Sequence, residues 1–206
     1  MTSRTKPLER PLTALDVIFS RRSVRAYSGE RLDQDTVRAL LDAAVQAPTA
    51  MHAEPWAFVV VQDADALKRY SDAAKGLWST ELGHYRDLHA VGEAAVRSQF
   101  GERMADPAFN IFYDAGTLIV ICAKAAGPFV TADCWLAAAT LMLAASAMGL
   151  GSCCIGSAIG ALNTSDVRHE LNIPDGVVAV APVIVGVPAE PADPVARKSP
   201  EILCWK

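Results

Sequence analysis

From Thr131 to Met148 the chain carries one charged residue, Asp133, among alanines, leucines, methionines, Cys134 and Trp135. The run is expected to be a helix, and because it is apolar around its whole circumference it has to be covered on every side. A membrane would do that, but a span needs about 20 strongly apolar residues. This stretch is alanine-heavy and contains Thr140 and Ser146 as well as Asp133. It is therefore expected inside a folded protein, ended by the glycines of Gly149-Leu150-Gly151.

Strands come next. Trp56 to Gln62, Gly116 to Ala123 and Val177 to Val187 are β-branched and apolar runs, the pattern of strands covered on both faces. Around them lie helical stretches. Thr13 to Ser20 has Thr13 as N-cap and Asp16 at capping-box spacing. Asp33 caps a second helix with Val37, Leu40, Leu41, Ala44 and Val45 on one face, stopped by Pro48. Asp65 to Lys75, Tyr85 to Arg103 (interrupted by Gly92) and a capped Thr164 to Leu171 complete the set, the last followed by the turn Pro174-Asp175-Gly176. The alternation implies an α+β sandwich whose central helix is covered by other helices, from the same chain or from a partner.

A chain of 206 residues without linker or repeat is expected to be one domain, 1–206, with an extended Pro-rich tail from about residue 188. Apolar residues make up 51%, above the usual range of about 45 to 50% for a soluble domain, so surface buried against a second subunit is expected. A net charge of -4 without a basic stripe leaves no footprint for nucleic acid. The five cysteines form no C-x-x-C and are expected to be reduced thiols. Met1 to Arg10 has no apolar h-region, so a cytoplasmic protein is expected. His84, His89 and His169 lack metal-ligand spacing, and no base stands near Ser152-Cys153-Cys154. Neither a metal nor a catalytic side chain is expected.

Two segments carry chemistry. Arg21-Arg22-Ser23-Val24-Arg25 packs three guanidinium groups and a hydroxyl into five residues, fork-shaped donors suited to a phosphate or to the carbonyl edge of a planar ring. Pro48-Thr49-Ala50-Met51-His52-Ala53-Glu54-Pro55-Trp56 is a loop shaped by two prolines that enters a strand, with Trp56 assigned to the core. Downstream come Gly149-Leu150-Gly151-Ser152-Cys153-Cys154-Ile155-Gly156-Ser157, Leu171-Asn172-Ile173-Pro174, Ala181-Pro182 through Gly186-Val187-Pro188, and the basic pair Arg197-Lys198. In this order the segments resemble the FMN-dependent nitroreductase family, over roughly residues 14 to 200.

That resemblance implies a nitroreductase-like three-layer α/β sandwich: a central, mostly antiparallel sheet, a buried central helix, and an interlocked homodimer with flavin at the subunit interface. It implies FMN as cofactor and NADH or NADPH as co-substrate, with nitroaromatics, quinones or related conjugated acceptors reduced in a ping-pong cycle. Arg21, Ser23 and Arg25, with Arg22 between them, would meet the phosphate, the ribityl chain and the N1/O2 edge. Pro48, Thr49, Ala50 and His52 would form the loop at the uracil edge, Ile155, Gly156 and Ser157 would face N5 and O4, and Arg197 or Lys198 would help hold the phosphate. Two departures stand out: His52 and Glu54 occupy positions where the family usually carries Asn and Gln. Glu54 is expected either to pair with Arg22 or to lie outside the ring shell. Trp78 to Phe109, with His84, Tyr85, His89, Arg97 and Phe100, could form a substrate lid, as in branches that dehalogenate or destroy flavin. A fold that binds FMN without turnover is the remaining alternative.

Overall fold

The computed structural model describes residues 12–81 and 94–206. Four strands form one antiparallel sheet in the order β1-β2-β4-β3: β1 Trp56–Val61, β2 Thr117–Ala123, β3 Gly151–Cys154 and β4 Val178–Gly186. Side chains of β2 alternate between the two faces. Leu118, Val120 and Cys122 join the core cluster of Leu67, Tyr70, Ala74, Ala161 and Leu162, on helices α3 (Ala64–Glu81) and α6 (Ile159–Leu162). Ile119, Ile121 and Ala123 join Leu40 and Ala44 of α2 (Gln34–Ala44) and Cys134, Ala137 and Leu141 of α5 (Val130–Ala147). The result is helices, sheet, helices. Helices α1 (Ala14–Ser20), α4 (Ala94–Ala105) and α7 (Ser165–Glu170) complete the described set.

Pro182 sits inside β4, where a missing N–H would normally break the ladder. The register explains the tolerance. Ile121 pairs with Ala181 but Cys122 pairs with Ala179, so Val180 is an extra residue in β4, and Val180 and Ala181 both join the α2/α5 side. This is a β-bulge, the setting in which a strand admits proline.

The capped helices form as their sequences dictate. Thr13 and Asp16 make both bonds of the capping box, and the Asp33 carboxylate accepts from Thr36 N at 2.7 Å, which holds Asp33 below the usual carboxylate range. Helix α2 stops at Ala44, short of Pro48, and Gly149 takes the left-handed φ of +75° that ends α5. At α7 the expected cap differs: Thr164 stands at N-cap, but its hydroxyl donates to Ala161 O at 2.8 Å. Helix α3 runs past Lys75 to Glu81. Of the expected helix Tyr85 to Arg103, residues 82–93 lie outside the described residues and α4 covers the rest.

Two elements are only partly covered by the described residues. Strand β1 packs on both faces, Ala57, Val59 and Val61 toward the cluster of α3 and α6 and Trp56 and Phe58 toward that of α2 and α5, but it pairs only with β2 and Val60 is exposed. Helix α5, the one described helix long and apolar enough to cross a membrane, lies with one face against the sheet. Asp133, Cys134, Ala137, Ala138, Leu141 and Ala145 are buried, whereas Leu136, Ala139 and Met148 are exposed. Beside it α1 exposes Leu15, Ile18 and Phe19. Within one chain the apolar helix is half covered.

Candidate functional site

The Arg segment reaches its place by joining the sheet. After α1 the chain runs extended; Ser23 bridges Ser152 in parallel, and Val24 N donates to Ser152 O at 3.1 Å. Gly151 makes this approach possible, since a Cβ there would stand 2.8 Å from Val24 Cβ. Three residues on, buried Tyr27 donates its hydroxyl to Val24 O at 2.9 Å, and burial raises the phenol's pKa so that it stays a donor. Tyr27 also bridges Pro188, while Ala189 N donates to Ala26 O at 3.0 Å. The segment thus lies between the edge of β3 and the root of the tail.

Strand β3 then runs directly into Ile155-Gly156-Ser157. Ile155 N donates to Pro182 O at 2.9 Å, and a short 3-10 turn covers Gly156–Ala158. Around this turn opens a cleft of about 240 Å³, walled by Arg25, Trp78, Phe100, Phe109, Ile111, Tyr113, Cys153, Cys154, Ile155, Gly156 and Ser157. A Cβ added at Gly156 would meet nothing within 4 Å, so the backbone there is open to a ligand.

The aromatic wall is two edge-to-face pairs, Trp78 with Phe100 (centroids 5.2 Å apart) and Phe109 with Tyr113 (5.4 Å), the geometry ring quadrupoles prefer. Arg25 lies 6.0 Å from the Tyr113 centroid and is, among the described residues, the one charged residue in the wall. Arg103, on α4, stacks at 4.5 Å over Phe109 and 5.4 Å over Tyr113. Burial raises the Cys153 thiol, an effect partly offset by the nearby charge of Arg25. Burial likewise pushes Cys154 up to about 11. Both are protonated at neutral pH, so neither is a thiolate nucleophile.

The structure therefore brings Arg25 together with Ile155, Gly156 and Ser157. Arg21 and Ser23 lie on the same extended segment but outside the cleft wall. Arg22 turns back, donating from Nη1 to Phe19 O at 2.8 Å and Arg21 O at 2.9 Å, so it binds carbonyls at the end of α1 rather than Glu54. Arg197 and Lys198 are exposed on the irregular tail.

Pro48, Thr49, Ala50 and His52 do not line the cleft of their own chain. Their loop takes an uncommon shape: Met51, His52 and Glu54 have φ of 56°, 52° and 43°, a left-handed run that non-glycine residues rarely adopt and that clusters at functional sites. Ala50 N donates to Asp133 Oδ1 at 3.3 Å. Trp56 is buried, 6% exposed, in the core.

Of the expected lid, Trp78, Phe100 and Phe109 are in the wall, while His84, Tyr85 and His89 lie outside the described residues, as does the Arg97 side chain. Ile111, Tyr113, Cys153 and Cys154 were not expected there. The aromatic density of Phe109 to Tyr113 just before a strand was the available signal. Asp133 was also missed as a contact to the loop, although a lone acid in an apolar helix marks itself.

A model of the nitroreductase family matches residues 18–187. A protein of Archaeoglobus fulgidus with the provisional name NADH dehydrogenase/NAD(P)H nitroreductase is 28% identical over 87% of this chain and 87% of its own. An NADH dehydrogenase of Thermus thermophilus is 27% identical over 95% of this chain and 97% of its own. Among solved structures, a nitroreductase with bound FMN from Bacteroides fragilis superposes with a TM-score of 0.72 at 26% identity, covering 94% of this chain and 97% of that one. With the family model spanning the chain from the last turn of α1 to the end of the sheet, the chain belongs to the nitroreductase family.

Proposed function

We propose that this protein is an FMN-dependent oxidoreductase that takes reducing equivalents from NADH or NADPH and delivers them, in a ping-pong cycle, to nitroaromatic, quinone or related conjugated acceptors. The observation that carries the reading is the cleft: Arg25 and Ile155-Gly156-Ser157, from two separate motifs, share one wall with four aromatic rings. A flat tricyclic ring with a polar edge fits this donor set, because the aromatic side supplies apolar contact and the Arg25 side supplies hydrogen-bond donors. FMN bound there would supply two-electron transfer at its N5.

The chain's own residues then bind and tune. Arg25 would place a fixed positive charge beside the N1/O2 edge, where reduction adds negative charge. Gly156, beside which there is open space, would let the backbone approach the ring at N5 and O4. Arg21 and Ser23 would hold phosphate and ribityl, with Arg197 or Lys198 helping to hold the phosphate. No protein acid or base is required.

The active unit is proposed to be a homodimer. The cleft of one chain, about 240 Å³, is below the range of about 300 to 1,000 Å³ typical of ligand sites. The Pro48 to His52 loop stands outside it, and the exposed faces of α1 and α5 supply apolar surface for a second copy. Five unpaired cysteines suit a reducing compartment such as the cytoplasm.

The visible spectrum of the gently purified protein, with the released chromophore identified by chromatography, tests the reading. Stoichiometric FMN that NADH or NADPH reduces anaerobically is the expected result; a colourless protein that takes up no added FMN would overturn it. Since Trp78, Phe100 and Phe109 of the mid-chain segment wall the cleft, reductive dehalogenation is the second reading. Turnover of halogenated phenols without turnover of nitroaromatics would favour it.

A further inference from the structure

We infer that Asp133 is a positioning residue: its buried carboxylate sets the shape of the Thr49–Glu54 loop, and with it the direction in which His52 is offered to the flavin. The inference rests on the proposed FMN reading in its homodimeric form, in which this loop, outside the cleft of its own chain, would reach the uracil edge of the flavin in the cleft of the second copy.

Asp133 is 4% exposed in the first turn of an otherwise apolar helix. A buried carboxylate needs donors, and the start of an 18-residue helix is a favourable place for a negative charge. The donor it has is the main-chain N–H of Ala50, at 3.3 Å, 83 residues away in the chain. Asp133 thus ties the loop to α5, the helix whose other face awaits cover.

The loop needs such a tie. Met51, His52 and Glu54 are all left-handed without being glycine, and a conformation of that kind persists only where its surroundings hold it. Few bonds do so here. Ala53 N donates to Ala50 O at 3.1 Å within the loop, and Lys124 N donates to Pro55 O at 2.7 Å at its exit. Asp133 holds its entrance. The side chains of Met51, His52 and Glu54 are exposed, Met51 at 94%, so packing within the chain contributes little. Without the Asp133 bond, the backbone at Ala50 is free to relax and the imidazole two residues on loses its fixed bearing.

Three variants test this, read by FMN titration and by the midpoint potential of the bound flavin. Asp133→Ala removes the acceptor. Asp133→Asn keeps an acceptor oxygen. Ala50→Pro removes the donor and leaves α5 untouched: Ala50 opens a 3-10 turn, a position that accepts proline, and Thr49 before it is already extended, with φ -131° and ψ 149°, as a following proline demands.

Asp133→Ala and Ala50→Pro should each weaken FMN binding roughly tenfold or more and shift the potential, the scale of a hydrogen bond to a charged group. Asp133→Asn should stay within about threefold of wild type. Should Asp133→Ala fail to fold, Ala50→Pro decides. Wild-type affinity and potential in Ala50→Pro, or in a folded Asp133→Ala, would overturn the inference while leaving the FMN reading intact. A wild type that binds no FMN would remove both.

Discussion

At the scale of single residues, Arg25 is the one charged side chain that the described residues bring into the cleft wall. Arg25→Gln should therefore lower the midpoint potential of bound flavin and slow its reduction about a hundredfold to a thousandfold, the scale of removing one preorganised charge-stabilising donor; stopped-flow reduction by NADH or NADPH reads this directly. The thiols make a second case. Cys122 and Cys134 are pushed up to about 11 by burial, as is Cys154, while Cys204 is exposed. Iodoacetamide at pH 8 should label Cys204 rapidly and the buried Cys122, Cys134 and Cys153 only as fast as the chain opens, which peptide mass mapping can follow. The same burial fixes a pH dependence: thiols whose folded pKa lies above the unfolded value stabilise fully below about pH 9 and lose that contribution as pH rises toward 11. Denaturant unfolding under reducing conditions should show stability falling across that window.

At the scale of elements, what could be read from the sequence had a local cause. The Thr13/Asp16 box and the Asp33 cap mark helix starts within a few residues, and both are made in the fold. Thr13→Ala should cost about 1 kcal/mol in thermal or denaturant unfolding, as helix caps generally do. What could not be read depended on neighbours. Strand β3, Gly-Ser-Cys-Cys, has no β-branched residue and exists because β4 pairs with it on one side and Ser23 bridges it on the other. The edge position of β1 is a fact of sheet order, since Trp-Ala-Phe-Val-Val-Val reads the same at the edge or the centre. The candidate site divides the same way: Arg25 and Ile155 to Ser157 belong to motifs, whereas Tyr113 and Asp133 matter through contacts with residues far along the chain. Gly151 joins the two levels. Gly151→Val would drive a side chain into Val24, lifting the Arg segment from β3, and should abolish FMN retention at a smaller cost to folding, measured by chromophore content against melting temperature.

For the whole molecule, the apolar composition has its explanation on the surface. Phe19 is 74% exposed, Leu15 63% and Ile18 51%, more than a monomer usually leaves to water in one place. Sedimentation should show a dimer, and Phe19→Glu should shift it toward monomer with loss of bound FMN. One feature reaches beyond the finished protein. Among the described residues, the outer edge of β1 offers the backbone of six consecutive residues without charge, proline or glycine, Trp56 to Val61, which is the composition of segments that grow cross-β stacks. A newly made chain that has not yet covered this edge should therefore be most prone to cross-β association when crowded or heated, and thioflavin binding during refolding would follow it.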